Sequence, residues 1–329
     1  MNADKFLKKI SIILFFILAF AGKLCAFELF QFSVAPKYGL EYGQMNEFLM
    51  YKNGNERSEL NWEINTINLL GFDTSIGWEM ILVKVDCMWG FPKSSGNLYD
   101  SDWLNTSNYR MKTNYSENEN SVDYLGNLGV KLSINLKIFD FWRILPYLSI
   151  SYNRIKFSAE NGYGWYGDTS KTTDSQYHYW YDSESKKYST GELCPIDYDR
   201  ETFNYVIGIE TSFTFFSRYI LSLDFGLAIF TQVNSIDNHY SDFDKSSYTA
   251  YLDKMQGYFK SFSLGTDIDI KIWNGLSAGI GFNFIFINQI LGNTYEKSSS
   301  LTTYQKNSNY NSAASGYYYN LETFVRYSF

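Results

Sequence analysis

Two histidines occur in 329 residues, and one of them, His239, lies in Ser235-Ile236-Asp237-Asn238-His239-Tyr240. On an extended strand, residues two apart share a face. Asp237 can therefore orient the imidazole of His239 and stabilise its charged form. A second pair with the same spacing, Asp100 and Asp102, lies in Leu98-Tyr99-Asp100-Ser101-Asp102-Trp103. The bland alternative is a solvated acidic rim, because the polar segments of this chain are rich in Asp, Glu, Asn and Ser. The other histidine, His178, stands alone in Gln176-Tyr177-His178-Tyr179 and suggests a solvated loop residue rather than a metal site. No cofactor and no metal are expected.

The scaffold decides what such pairs can mean. Lys5, Lys8 and Lys9 precede an apolar run from Ile10 to Gly22, and Leu24-Cys25-Ala26 offers a small-residue cleavage site. These features describe a secretory signal peptide over residues 1–26, the run being short of the roughly 20 residues a membrane helix needs. The remainder, 27–329, reads as one outer-membrane barrel domain. Aromatic residues make up 19 %, with 29 Tyr and 27 Phe against 4 Pro, and no later stretch is long and apolar enough for a helical span. Many strands, aromatic girdles and polar loops describe a transmembrane β-barrel. A net charge of −7 gives no reason to expect nucleic-acid binding. Cys87 falls on an expected strand and Cys194 in an expected long loop, which argues against a bridge between them.

The C-terminus carries the clearest pattern. Counting back from Phe329 in twos gives Tyr327, Val325, Thr323, Leu321 and Tyr319, while Ser328, Arg326, Phe324, Glu322 and Asn320 occupy the other face. This is an apolar-out, mostly polar-in barrel strand. About ten segments read as strands: 30–51, 57–76, 81–91, 121–138, 146–159, 201–216, 219–235, 248–270, 276–291 and 313–329. Tight turns are expected near 77–79, 139–142, 217–218 and 273–275, facing the periplasm, and long polar connections near 92–120, 160–200, 236–247 and 292–312, facing outward. A short one at 52–56 completes the outer set. The expected fold is an all-β, ten-stranded antiparallel barrel that projects past the membrane on the extracellular side, since several strands exceed the ~11 residues a bilayer requires. Asp100 and Asp102 would then lie in an outer loop, with Asp237 and His239 at the top of the seventh strand.

At this point the residues resemble those of the omptins, outer-membrane endoproteases built as ten-stranded barrels. Ser58-Glu59-Leu60-Asn61-Trp62-Glu63 resembles the start of the family's second strand. Gly96-Asn97-Leu98-Tyr99-Asp100-Ser101-Asp102-Trp103-Leu104-Asn105-Thr106-Ser107-Asn108 is similar to its block of Gly-Asn, two acids, Trp and a closing Ser-Asn. Asp237-Asn238-His239-Tyr240 resembles its Asp-x-His-Tyr. The resemblance implies a water that attacks a peptide carbonyl between a His-Asp dyad and an Asp couple. His239 would be the general base and Asp237 its orienting carboxylate. Asp100 would hold the water, with Asp102 beside it. It further implies peptide or protein substrates outside the cell, a monomeric barrel in contact with outer-membrane lipid, and cleavage beside basic residues. Glu47 aligns with one acid of the family's specificity pocket, and Ser235 stands where the second is expected.

Other positions depart from the family pattern. Its His-Pro signature is replaced by Tyr115-Ser116-Glu117-Asn118-Glu119-Asn120, and its Tyr-Gln-Glu-Ser-Arg motif by Tyr152-Asn153-Arg154-Ile155-Lys156. In omptins that motif helps to bind lipopolysaccharide phosphate. Lys156 and Lys254 align with its basic residues and Arg200 falls nearby, so the three are candidate lipid contacts on the outer wall. The plain alternative is ordinary solvated charges. Two other classes remain open from the residues: a catalytically idle barrel acting as an adhesin or surface-binding protein, and a small channel. Ten strands leave an interior that side chains largely fill, which fits a channel poorly.

Overall fold

The structure, a computed structural model, describes residues 30–168 and 176–329. The signal peptide expected at 1–26 lies outside the described residues. The strands in chain order are β1 (Phe30–Tyr51), β2 (Glu56–Trp78), β3 (Ile81–Gly90), β4 (Lys93–Asp102), β5 (Asn114–Ile134), β6 (Leu136–Phe139) and β7 (Trp142–Tyr166). There follow β8 (Lys186–Leu193), β9 (Ile196–Phe215), β10 (Tyr219–Tyr240), β11 (Tyr248–Gly257), β12 (Ser261–Trp273), β13 (Leu276–Ser298) and β14 (Gln305–Ser328). β3 and β4 run end to end between β2 and β5, and β11 and β12 do the same between β10 and β13. β6 continues β5, and β8 flanks the top of β7. Ten antiparallel staves result, and β1 pairs with β14 to close the ring.

The wall reads as a membrane surface over its lower half. On β9 the exposed aliphatics Ile207 and Ile209 lie between Tyr205 and Phe215, a stretch of 11 residues, which matches the ~9–11 that a tilted strand needs to span. The lower girdle includes Trp78, Phe141, Phe216 and Trp273, and the upper one Tyr124, Tyr205, Tyr258 and Tyr319, all exposed. The alternation expected for the last strand is present: Leu321, Val325 and Tyr327 are exposed, while Glu322 and Phe324 are buried inside.

Above the upper girdle the strands continue, and this corrects the expected loop boundaries. Most of the connections placed at 92–120 and 292–312, and the flanks of those at 160–200 and 236–247, are strand: β4 and the top of β5, the tops of β7 and β9 with β8, and the tops of β10, β13 and β14. The reason is a collar of β-bulges at mid-height. An extra residue near Thr66 on β2, Asp123 on β5, Ile229 on β10 and Asn288 on β13 shifts the register there. A bulge reverses which parity points inward. On β10 the inward set changes from Gly226 and Ala228 to Thr231, Val233, Ser235 and Asp237. A simple period of two breaks at that point, so the sequence pattern looks like the end of a strand.

The interior is layered. In the lower lumen, ion pairs join one stave to another: Lys37 with Asp86 at 2.6 Å and Glu322 at 2.8 Å, Lys131 with Asp224 at 2.5 Å, and Arg326 with Asp269 at 2.6 Å. Above them an apolar plug includes Met45, Leu60, Trp62, Leu98, Phe157 and Tyr198. Trp62 stacks on Tyr198 at 5.5 Å between ring centroids and on Phe157 at 5.2 Å. Among the described residues, this plug fills the lumen at its level.

Trp62 is fully buried, and truncating a core aromatic typically costs about 3–5 kcal/mol. Trp62→Ala should therefore lower the thermal unfolding midpoint in detergent far more than substitution of the girdle residue Trp273, read by the loss of heat-modifiable migration.

Candidate active site

The plug forms the floor of a cleft of about 290 Å³ at the upper rim, lined by Glu47, Asp100, Asp102, Asp237 and His239 among others. All of these lie well above the aromatic girdle. Asp237 is seven residues along β10 from the girdle-level Phe230 (237 − 230), about 23 Å at ~3.3 Å per residue. Asp100 and Asp102 sit on β4 rather than in a loop, which corrects the sequence expectation, and they share a strand face as their spacing requires. In ring order β4 is the third stave and β10 the seventh, so the two acidic pairs approach the cleft from nearly opposite walls.

Local sequence explains why β4 presents its acids inward. Gly96 has φ +76°, in the left-handed region, and a Cβ there would collide with the Glu63 carboxylate. The same carboxylate accepts a hydrogen bond from the backbone N–H of Asn97 at 2.8 Å. The resulting bulge moves the inward parity from Ser95 to Leu98, and therefore to Asp100 and Asp102. Thus the Gly-Asn pair preceding the acids is a device for aiming them.

Asp237 is almost fully buried and bonds through Oδ2 to Nε2 of His239, whose side chain keeps 36 % of its surface exposed in the cleft. The other ring nitrogen is therefore left for chemistry. The edge of one ring meets the face of the other between His239 and Tyr251, with centroids 5.6 Å apart, which holds the imidazole plane. Burial works to lower the pKa of His239, but Asp237, with Asp100 and Asp102 behind it, overcomes this and lifts it to about 9. Burial, reinforced by the charge of Asp102, pushes the Asp100 carboxyl up to about 8. Burial also raises Asp102, while a hydrogen bond from Asn114 and the cation of Arg57 act to keep it ionised.

Asn114 and Asp168 escaped sequence reasoning. Asn114 faces Asp102 across the β4–β5 ladder, and its Nδ2 donates to Asp102 at 3.0 Å and to Asp168 at 3.2 Å. Asp168 thus brings a third carboxylate to the couple. No spacing rule could announce this, since the contact depends on the fold bringing 114 and 168 together.

Glu47 projects from β1 into the cleft and is buried, and Ser235 is buried on the inner face of β10. Lys156 and Lys254 lie on the outer wall. Lys156 is 3.8 Å from Asp199, and the Lys254 ammonium sits 5.7 Å from the centroid of the Tyr295 ring. Arg200 must be corrected as a lipid contact: it points inward, is fully buried, and donates to the Ser315 carbonyl at 2.8 Å. Inward parity on β9 carries it into the barrel, and the outward positions beside it are Asp199 and Glu201. Asp199 holds Arg154 through two hydrogen bonds of 3.0 and 2.8 Å, so Arg154 and Lys156 both face an acid of their own chain.

Fold and cleft together define a bacterial outer-membrane β-barrel with a polar site raised above the bilayer. The chain is similar in structure to the outer membrane protease OmpT from Escherichia coli, with a TM-score of 0.77 at 16 % identity, over 91 % of this chain and 97 % of that one. It therefore has the omptin-like barrel fold. The outer membrane protein OprG from Pseudomonas aeruginosa and the translocator domain of the autotransporter NalP from Neisseria meningitidis superpose only loosely. Their TM-scores are 0.33 and 0.30 at 8 % and 9 % identity, over 91 % and 98 % of this chain and 95 % and 97 % of theirs. No protein-family model matches the sequence, and neither does any curated protein sequence.

Because Gly96 sets the bulge that aims the acids, Gly96→Ala should destabilise the barrel by about 1–3 kcal/mol, the usual cost of a non-glycine residue in a disfavoured backbone region. Urea unfolding followed by tryptophan fluorescence would measure it, and an unchanged midpoint would contradict the aiming role.

Proposed function

We propose that this protein is a cell-surface endopeptidase that activates water between Asp100 and His239, and that its cleft opens on the extracellular side. The observation that carries this reading is the convergence of a His-Asp dyad from β10 and an Asp couple from β4 on one water-accessible cleft. Short turns at the opposite end and the rim position of the cleft support the outward orientation.

In the proposed reaction, a water held at Asp100 attacks the peptide carbonyl carbon and passes its proton to the free ring nitrogen of His239. Asp237 stabilises the imidazolium that forms. The tetrahedral intermediate collapses when His239 returns that proton to the leaving nitrogen; the C–N bond breaks, giving a carboxylic acid and an amine. Asp102 sits beside Asp100 and tunes its charge through like-charge repulsion. Glu47, buried and facing the cleft, supports a preference for cleavage next to a basic side chain. Outer-membrane lipid would contact the wall at Lys156 and Lys254. Asp199 beside Lys156 predicts weak stimulation by lipopolysaccharide.

The test is hydrolysis of a fluorogenic peptide containing Arg-Arg or Lys-Arg by refolded protein, with and without lipopolysaccharide. His239→Ala and Asp100→Ala should each lower kcat/KM by ~10²–10⁴-fold, the usual span of general acid–base catalysis. Equal activity in all three would overturn the mechanism. No cleavage by the parent under either condition would favour a surface-binding protein.

The pH dependence has a definite sign. With Asp100 lifted to about 8 and His239 to about 9, a base that must first lose its proton is idle at low pH. The rate should rise with pH through that interval, as one limb belonging to the coupled cluster. A limb near pH 6 would mean that the acids do not act on His239.

A further inference from the structure

The acid missing at position 235 reappears one strand away. Ser235 on β10 is paired directly with Asp253 on β11, and both side chains point inward, 2 % and 3 % exposed. Directly paired residues on neighbouring strands lie about 4.5–5.5 Å apart, so Asp253 occupies the same part of the cleft from the adjoining wall. Glu47 reaches that region from β1, and both acids line the cleft.

Their hydrogen bonding is incomplete. Asp253 Oδ1, Glu47 Oε2 and Ser235 Oγ are buried and have no partner. Burying such a group without a partner is costly. Of these, Glu47 and Asp253 line the cleft, so two unpartnered carboxylate oxygens belong to one space. The charge balance points the same way. Glu47, Asp253 and Asp237 gather there as three acids against one fully buried cation, Arg200, which acts on Glu47 and donates through Nη1 to Ser315.

We infer that Asp253 is a specificity-determining residue which, together with Glu47, receives the cationic side chain of the substrate, replacing an acid on β10. The inference rests on the endopeptidase reading and deepens it. Two carboxylates on separate strands suit a planar guanidinium, which can donate to both at once, better than the single ammonium of lysine. The pocket therefore selects arginine over lysine. Burial, with the charge of Asp237, raises Asp253 to about 7, and burial with the neighbouring acids raises Glu47. An arriving guanidinium will hence expel protons.

The test separates binding from turnover. Agmatine, a small guanidinium probe, is titrated calorimetrically into the His239→Ala protein near pH 7 in buffers of different ionisation enthalpy. Binding with proton release is expected, weakened at least tenfold by adding Asp253→Asn. Because that change removes a buried charge, the exchange Ser235→Asp with Asp253→Ser serves as a second variant and should restore binding. In the active protein, arginyl peptides should be cut at least tenfold better than lysyl ones, with the ratio falling in Asp253→Asn. Agmatine affinity indifferent to Asp253, or equal cleavage of both peptides, would overturn the inference. Asp253-dependent binding without any hydrolysis would uphold the pocket and remove the endopeptidase reading instead.

Discussion

Inside hydrocarbon no water is available to satisfy a backbone N–H or C=O, so every strand of this chain must be paired on both sides and the sheet must close. That constraint organises everything else. Closure of β1 onto β14 removes the edges, and strict alternation then divides each stave into a lipid face and a lumen face. A bulge leaves one residue outside the ladder. In the membrane such a residue would be expensive, which is why the bulges near Thr66, Asp123, Ile229 and Asn288 gather at or above the upper aromatic girdle. Once past the bilayer, re-phasing is cheap, and the chain uses it to turn a different set of residues inward.

The interior below and above that collar obeys opposite electrostatic rules. In the lower lumen, the cations of Lys37, Lys131 and Arg326 each lie within 2.5–2.6 Å of a carboxylate, as buried charges require. In the cleft, acids outnumber cations, and Asp100, Asp237, Asp253 and Glu47 each keep a buried oxygen without a partner. The plug around Trp62 separates the two zones and keeps the lower cations from neutralising the upper acids. Frustrated charge of this kind is costly to fold, and it is concentrated where His239 meets the acids.

The outer wall shows how one strand position changes a residue's fate. Asp199, Arg200 and Glu201 are consecutive on β9. The outer two pair with Arg154 and Tyr152 beside the membrane surface, while Arg200 crosses into the core and bonds to β14. Sequence proximity to a cationic motif therefore misjudged Arg200, because parity rather than distance along the chain decides which side of a barrel wall a side chain reaches.

The membrane half was legible because lipid enforces a plain period of two: the girdles, the tight turns and the alternation back from Phe329 all carry it. The pairs Asp100 with Asp102 and Asp237 with His239 were legible for the same reason, since same-face placement on a strand is a local property. Above the collar the pattern failed. Water contacts both faces there, bulges reset the parity, and polar residues that form strands look like loop. That chemistry-bearing residues sit on β4 and β10 follows from local spacing. That they meet across one cleft, with Asn114 bridging Asp102 to Asp168 and Asp253 standing opposite Ser235, was decided by strand register and ring closure, which in these contacts join residues from 12 to 54 positions apart and which no local pattern encodes.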